Sequence, residues 1–280
     1  MVVLGKRDLR SKALTFFRVF MVLMCGVLAF PTQGWAINDL ERTWVHALVA
    51  MPSEKARESH YFRMDTDKGR KILGNYRGEK LPVLVYLHGC TGFSKRDRKF
   101  IRKIAERGFL VIAPDSMARA YRPRQCDPDS KRGGLSPWVF DFRQAEINYA
   151  VDQLWEKPWA DWNNLFLMGV SEGGAATALY RGDFFRARII TQWTCQGAPL
   201  IRGLEAQPDV PVLAIVQRND PWYQNKRTDQ RGDCGAYFGI RSGSKSIILE
   251  DGKKHNVLKS AGVFEEVMEF LRENIGGSRR

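Results

Sequence analysis

From residue 60 onward, apolar runs alternate with stretches of helical spacing, and no other feature limits the possible folds so strongly. Leu81 to Leu87 and Phe109 to Ala113 are apolar throughout, the pattern of strands covered on both faces. Leu165 to Val170, Ala187 to Trp193, Val210 to Val216 and Ser246 to Leu249 read as further strands. Between and after them, Lys95 to Arg107, Asp141 to Glu156, Ala175 to Tyr180 and Val263 to Asn274 repeat apolar residues three and four apart, as helices do. Gly108 supplies a helix stop. Upstream, Asn38 and Asp39 can cap a helix predicted over Leu40 to Ala50. Strands alternating with helices demand right-handed crossovers, hence an α/β architecture: a mostly parallel sheet with helices on both faces. The 280 residues suffice to bury a sizeable core in one such domain.

Two long excursions break the rhythm, Ser116 to Pro137 and Asp220 to Lys245. Both follow strands and so belong at the carboxyl edge of the sheet, where open α/β folds bind ligands. Arg119, Arg122, Arg124, Lys131 and Arg132 lie in the first. They are suited to a substrate carboxylate or phosphate, although a solvated basic loop is the preferred account. Trp138, Trp193, Trp222 and Tyr223 flank the same edge, either as an acyl pocket or as ordinary packing.

Gly169-Val170-Ser171-Glu172-Gly173-Gly174 fits G-x-S-x-G. Small residues on each side of the serine permit a sharp strand-to-helix turn that exposes its hydroxyl. The pattern alone is weak, but here a strand leads in and a helical segment leads out. A serine hydroxyl is a poor nucleophile near neutrality and needs a base. Of the four histidines only His255 follows Ser171, just beyond the last strand. The acid that orients the imidazole is assigned to Asp220, at a strand end, with Asp251 as the rival and Asp229 and Asp233 further out. Donors for the oxyanion are the backbone N–H of Glu172, placed by the turn itself, and that of Cys90, in the loop His88-Gly89-Cys90-Thr91-Gly92. His88 is read as a tie within that loop.

The first thirty-six residues differ from the rest. Lys6, Arg7, Arg10, Lys12 and Arg18 precede an apolar run from Val19 to Phe30, and Gly34-Trp35-Ala36 follows. That order predicts a secretory signal peptide over residues 1–36, with a single domain over 37–280 and a periplasmic or secreted destination. The apolar run is too short for the roughly 20 residues of a membrane span, so no stable span is expected after cleavage. Removing the leader lowers the net charge from +13 to +9 by taking away five Lys/Arg and one Asp. The basic residues are scattered without an aromatic platform, so nucleic acid is not an expected partner. Export would leave Cys90, Cys126, Cys195 and Cys234 in an oxidising compartment, where two disulfides become plausible with three connectivities open. No Cys or His spacing suggests zinc.

With these residues assembled, the chain resembles the α/β-hydrolase superfamily and, more narrowly, its dienelactone-hydrolase-related branch. The resemblance spans about residues 60 to 275. It is carried by Leu87-His88-Gly89-Cys90-Thr91-Gly92, Ala113-Pro114-Asp115-Ser116 and the Gly169 to Gly174 motif. Dienelactone hydrolases use a cysteine nucleophile where this chain has Ser171, so lactone cleavage is not implied. The resemblance implies strand neighbours that bring Cys90 to Cys126 and Cys195 to Cys234. It also implies an acyl-enzyme mechanism on a small ester-like substrate, with no metal or organic cofactor. A peptidase of the prolyl-oligopeptidase type shares fold and triad order and is one alternative. A catalytically silent binding protein on the same scaffold is the other.

Overall fold

The computed structural model describes residues 38–276 except 56, 124–125, 134–135, 156, 198–199, 225–229 and 251. The leader over 1–36 lies outside the described residues. In chain order the principal elements are α1 (Asp39–Val45), β1 (Leu48–Pro52), β2 (Ser59–Arg63), α2 (Asp67–Asn75), β3 (Leu81–Leu87), α3 (Lys95–Ala105) and β4 (Leu110–Ala113). Then follow β5 (Cys126–Asp127), β6 (Arg132–Gly133), α4 (Pro137–Leu154), β7 (Ala160–Val170), α5 (Glu172–Ala178), β8 (Ala187–Thr191), β9 (Val212–Gln217), β10 (Lys245–Leu249) and α6 (Val263–Glu273).

Eight strands form one sheet in the order β10-β9-β8-β7-β3-β4-β1-β2, and β5 and β6 make a separate two-stranded hairpin. The pairs from β10 through to β4 are parallel, while β1 runs antiparallel to both its neighbours. Successive side chains on a strand point to opposite faces, and the core divides accordingly. Val83, Val85, Leu165 and Leu167 pack on one face with Trp44 of α1, Phe140, Ile147 and Val151 of α4 and the alanines of α5. Leu84, Tyr86, Phe166 and Met168 pack on the other with Phe100 and Ile104 of α3 and Val267, Met268 and Leu271 of α6. Each Val, Leu, Ile, Phe or Met among them, fully buried, contributes about 1.5–3 kcal/mol.

The helix expected over Leu40 to Ala50 is corrected. Asn38 does cap it, accepting the Glu41 N–H at 2.8 Å, but the helix ends at Val45 and Leu48–Pro52 is a strand. Its side chains divide between the faces, Val49 and Met51 on one and Leu48 and Ala50 on the other. Sheet pairing on both edges decides the conformation, because Leu48 stands opposite Arg63 on one side and Ala113 on the other. Elsewhere the predicted elements are present with small shifts at their ends. The largest are at β7, which begins at Ala160, and α4, which begins with Pro137 in its first turn, where the missing N–H is harmless.

Both excursions lie at the carboxyl edge. The first contains the β5–β6 hairpin, and the second a short 3-10 turn at Cys234–Tyr237. Among the described residues, no helix is long and apolar enough to cross a membrane.

Candidate active site

Strand β7 runs into α5 through Ser171, whose backbone sits at φ 57° and ψ −115°, a strained region for a residue with a side chain. Ser171 N–H is held by Thr191 O of β8 at 2.9 Å. The flanking glycines are required by contact. A Cβ on Gly169 would lie 2.0 Å from Gly173 O, and one on Gly173 would lie 2.2 Å from Leu87 O. Only bare backbone lets the helix start this close to the strand, and the hydroxyl is driven outward as a result.

His255 meets it from the loop after β10. Its Nε2 lies 2.8 Å from Ser171 Oγ, and its Nδ1 lies 2.6 Å from Asp220 Oδ2. Asp220 is fully buried just past β9 and also accepts the Trp222 N–H at 3.0 Å. The imidazole is flanked by Trp222 and Tyr223, with ring centroids 5.1 and 5.8 Å away. Tyr223 is itself fixed by donating to Gln192 O at 2.5 Å. The site is a serine-hydrolase triad on an α/β-hydrolase fold. Its nucleophile, acid and base follow β7, β9 and β10 in that order along the chain. Of the other candidate acids, Asp251 and Asp229 lie outside the described residues. Asp233 is engaged with the Gly235 N–H and the Ser246 hydroxyl.

The loop after β3 forms the facing wall. An ideal Cβ on Gly89 would stand 3.6 Å from the Ser171 Cβ, so this backbone rests against the nucleophile. Among the described residues, neither the Cys90 nor the Glu172 N–H has an acceptor. His88 is fully buried beneath the loop. Its Nε2 accepts the Ser116 N–H at 3.1 Å, which leaves the proton on Nδ1 to donate to Gly89 O at 2.7 Å. Burial, reinforced by the Arg143 charge, holds its pKa well below the usual histidine value.

A buried ionic cluster supports both walls. Arg122 donates to Glu172 Oε1 at 2.6 Å and to Ser116 Oγ at 2.9 Å. Ser116 in turn donates to Glu146 Oε1 at 2.8 Å, which also accepts from Arg119 at 2.6 Å. Arg143 donates to His88 O at 2.9 Å and lies 3.5 Å from Glu146. Burial raises the Glu172 pKa, while Arg143 and Arg122 oppose that rise. The solvated-loop account of the first excursion is therefore corrected for Arg119 and Arg122, whose side chains are 6% and 4% exposed. Both are already bound to carboxylates inside the protein, so neither is open to a substrate anion. Lys131 and Arg132 are exposed, and Arg124 lies outside the described residues. Nothing in the sequence reading marks Arg143 or Glu146 as a site residue. Their trace was present, for both fall at helical spacing within the buried stripe of Phe140, Ile147 and Ala150.

Two disulfides join these parts. Cys90–Cys126 ties the loop beside Ser171 to the β5–β6 hairpin with Cα atoms 6.0 Å apart, and Cys195–Cys234 joins the segments after β8 and before β10 at 4.9 Å. Both separations are ordinary for a disulfide. Ser171 and His255 open on a cavity of about 770 Å³, which Cys90, Pro128, Gln192 and Trp222 also line. Trp193 and Tyr223 are buried, whereas Trp138 is 74% exposed. Among the described residues, no group of side chains is arranged to hold a metal ion.

No protein-family model matches the sequence. Carboxylesterase 20 of Arabidopsis thaliana is 27% identical over an alignment of 148 residues that covers 49% of this chain and 36% of that protein. The match thus spans little more than a third of that relative. Among solved structures, an acetyl xylan esterase from Paenibacillus sp. R4 superposes with a TM-score of 0.50 at 14% identity, covering 82% of this chain and 89% of its own. A protein assigned as a dienelactone hydrolase from Klebsiella pneumoniae gives a TM-score of 0.46 at 16% identity, covering 71% and 85%. At 14% identity the match to the acetyl xylan esterase speaks to the fold alone.

Proposed function

We propose that this protein hydrolyses a carboxylic ester through an acyl-enzyme on Ser171. The observation that carries the reading is the unbroken chain Ser171 Oγ, His255, Asp220, with contacts of 2.8 and 2.6 Å, opening on a cavity large enough for a small molecule. His255 Nε2 takes the hydroxyl proton as Ser171 attacks the carbonyl carbon. Asp220 keeps the imidazole in the tautomer with its proton on Nδ1 and stabilises the imidazolium. The backbone N–H groups of Cys90 and Glu172 are the donors assigned to the developing oxyanion. Loss of one such donor typically costs about 10²–10³ in kcat. His255 then protonates the leaving alcohol, activates water, and the second tetrahedral intermediate collapses to release the acid.

We place the chain in the dienelactone-hydrolase-related branch, on the Leu87 to Gly92, Ala113 to Ser116 and Gly169 to Gly174 motifs. Serine in the nucleophile position sets it apart from lactone cleavage. We also propose export after removal of residues 1–36, a reading supported by two disulfides, which persist in oxidising compartments.

The test is labelling by a fluorophosphonate probe, followed by a panel of p-nitrophenyl esters and peptide anilides. The protein is expected to label at Ser171, to lose labelling in Ser171→Ala, and to cleave esters in preference to anilides. A preference for anilides would move the reading to a peptidase, and absence of labelling would leave a binding protein on a hydrolase scaffold.

A further inference from the structure

The cavity in front of Ser171 is ringed by positive charge. Arg96 reaches it from the first turn of α3, Lys131 from the β5–β6 turn, and Lys253, Lys254 and Lys259 from the segment around His255. All five are exposed, and among the described residues none of them is in an ion pair. Elsewhere on the surface some cations are paired, Arg218 with Glu250 at 2.5 Å, Lys245 with Glu266 at 2.5 Å and Arg107 with Glu265 at 3.3 Å, while others such as Lys71 and Lys99 are in no ion pair among the described residues, so the gathering of five around one cavity is the distinguishing feature. Among the described lining residues the one carboxylate is Asp97. It is buried and committed to the Tyr86 hydroxyl at 2.7 Å and the Ser94 N–H at 2.6 Å. Five cations from three separate segments thus line the triad's cavity, and the one described carboxylate among the lining residues is already committed. The hairpin that carries Lys131 is fixed to the wall beside Ser171 by Cys90–Cys126.

From this placement we infer that the substrate ester carries an anionic group, such as a carboxylate, outside the scissile bond. The inference rests on the hydrolase reading above and adds the substrate's charge to it. A cleft lined by one sign of charge concentrates ligands of the opposite sign and speeds their capture by about 10–10³-fold at low salt. Lysine ammonium groups suit this task because they are strongly hydrated point charges that impose no fixed geometry on the anion. The chemistry at Ser171 is unchanged. The anion stays intact through acylation and deacylation, and its attraction to the mouth acts on binding.

Two matched pairs of esters test the inference. In one, p-nitrophenyl hydrogen adipate is compared with p-nitrophenyl hexanoate, so that the carboxylate ends the acyl chain. In the other, the butanoate ester of 6-hydroxyhexanoate is compared with hexyl butanoate, so that it ends the alcohol. In at least one pair, kcat/KM is expected to favour the charged ester by about 10-fold or more at low ionic strength. That ratio should shrink toward one in about 1 M salt, where screening acts over roughly 3 Å. It should also fall in the triple variant Lys131→Gln, Lys253→Gln, Lys254→Gln, with fluorophosphonate titration correcting for the active fraction. Ratios near one in both pairs at low salt, or a ratio indifferent to both salt and the triple variant, would overturn the inference. If Ser171 still labels and the neutral esters are still cleaved, the hydrolase reading survives that result. Absence of both labelling and cleavage sinks the two together.

Discussion

Two groups of cations lie within one active-site region and meet opposite fates. Arg119, Arg122 and Arg143 are buried beneath the loops that flank Ser171, each held against a carboxylate. Arg96, Lys131, Lys253, Lys254 and Lys259 stand at the mouth of the cavity without such partners among the described residues. The buried set is dry, so each charge is needed by its neighbour and the geometry is rigid. The mouth set is hydrated, so its members are separately dispensable for folding and act on whatever approaches. The buried arginines therefore shape the site, and the mouth lysines set the potential in front of it.

The comparison breaks most easily at Arg122. Replacing it with Met strands the Glu172 carboxylate beside the nucleophile, and losing one partner of a buried pair costs about 3–5 kcal/mol. Arg122→Met is therefore expected to lower the urea midpoint sharply and to reduce kcat along with it. An unchanged midpoint would show that the pair is better solvated than its burial implies.

A second, intermediate effect is expected from pH. Burial and the nearby Arg143 charge keep the His88 imidazole neutral to well below its ordinary value of 6.5. As pH falls below 6.5, the unfolded chain takes up this proton before the native state does. Unfolding is then favoured by proton binding, so the stability is whole above 6.5 and is lost as pH falls through the depressed native value. Urea midpoints measured from pH 7.5 downward should decline below 6.5 in the wild type and decline less in His88→Asn. Parallel curves would assign the acid sensitivity to another group.

The smallest effect should come from the mouth. Lys254→Gln is expected to shift stability by no more than about 0.5 kcal/mol, as for other exposed substitutions. Thermal denaturation of that variant beside Arg122→Met measures the contrast directly. A large loss at Lys254 would erase the distinction between the two sets.

Much of the site was legible before any coordinates. The nucleophile turn is a local device, in which a strand, glycines in contact with neighbouring backbone and a helix occupy adjacent positions in the chain. His255 followed by elimination, being the one histidine after Ser171. The cysteines alone left three connectivities open, and the resemblance to α/β-hydrolases implied the strand neighbours that pair Cys90 with Cys126. Two things were not legible. The segment after Val45 carries apolar residues that fit a helix and a buried strand equally well, and long-range pairing to β2 and β4 chose the strand. The burial of Arg119 and Arg122 depends on carboxylates 27 and 50 residues away, which no local pattern reports.

What the sequence determined by itself was the alternation of strands and helices, the exposed hydroxyl at Ser171 and the order of its partners. These follow from backbone sterics and side-chain periodicity, which act over a few residues. Tertiary structure alone decided which charges are buried and which face solvent. The free energy of a charge depends on what surrounds it in space, and those surroundings exist only once distant segments have packed together.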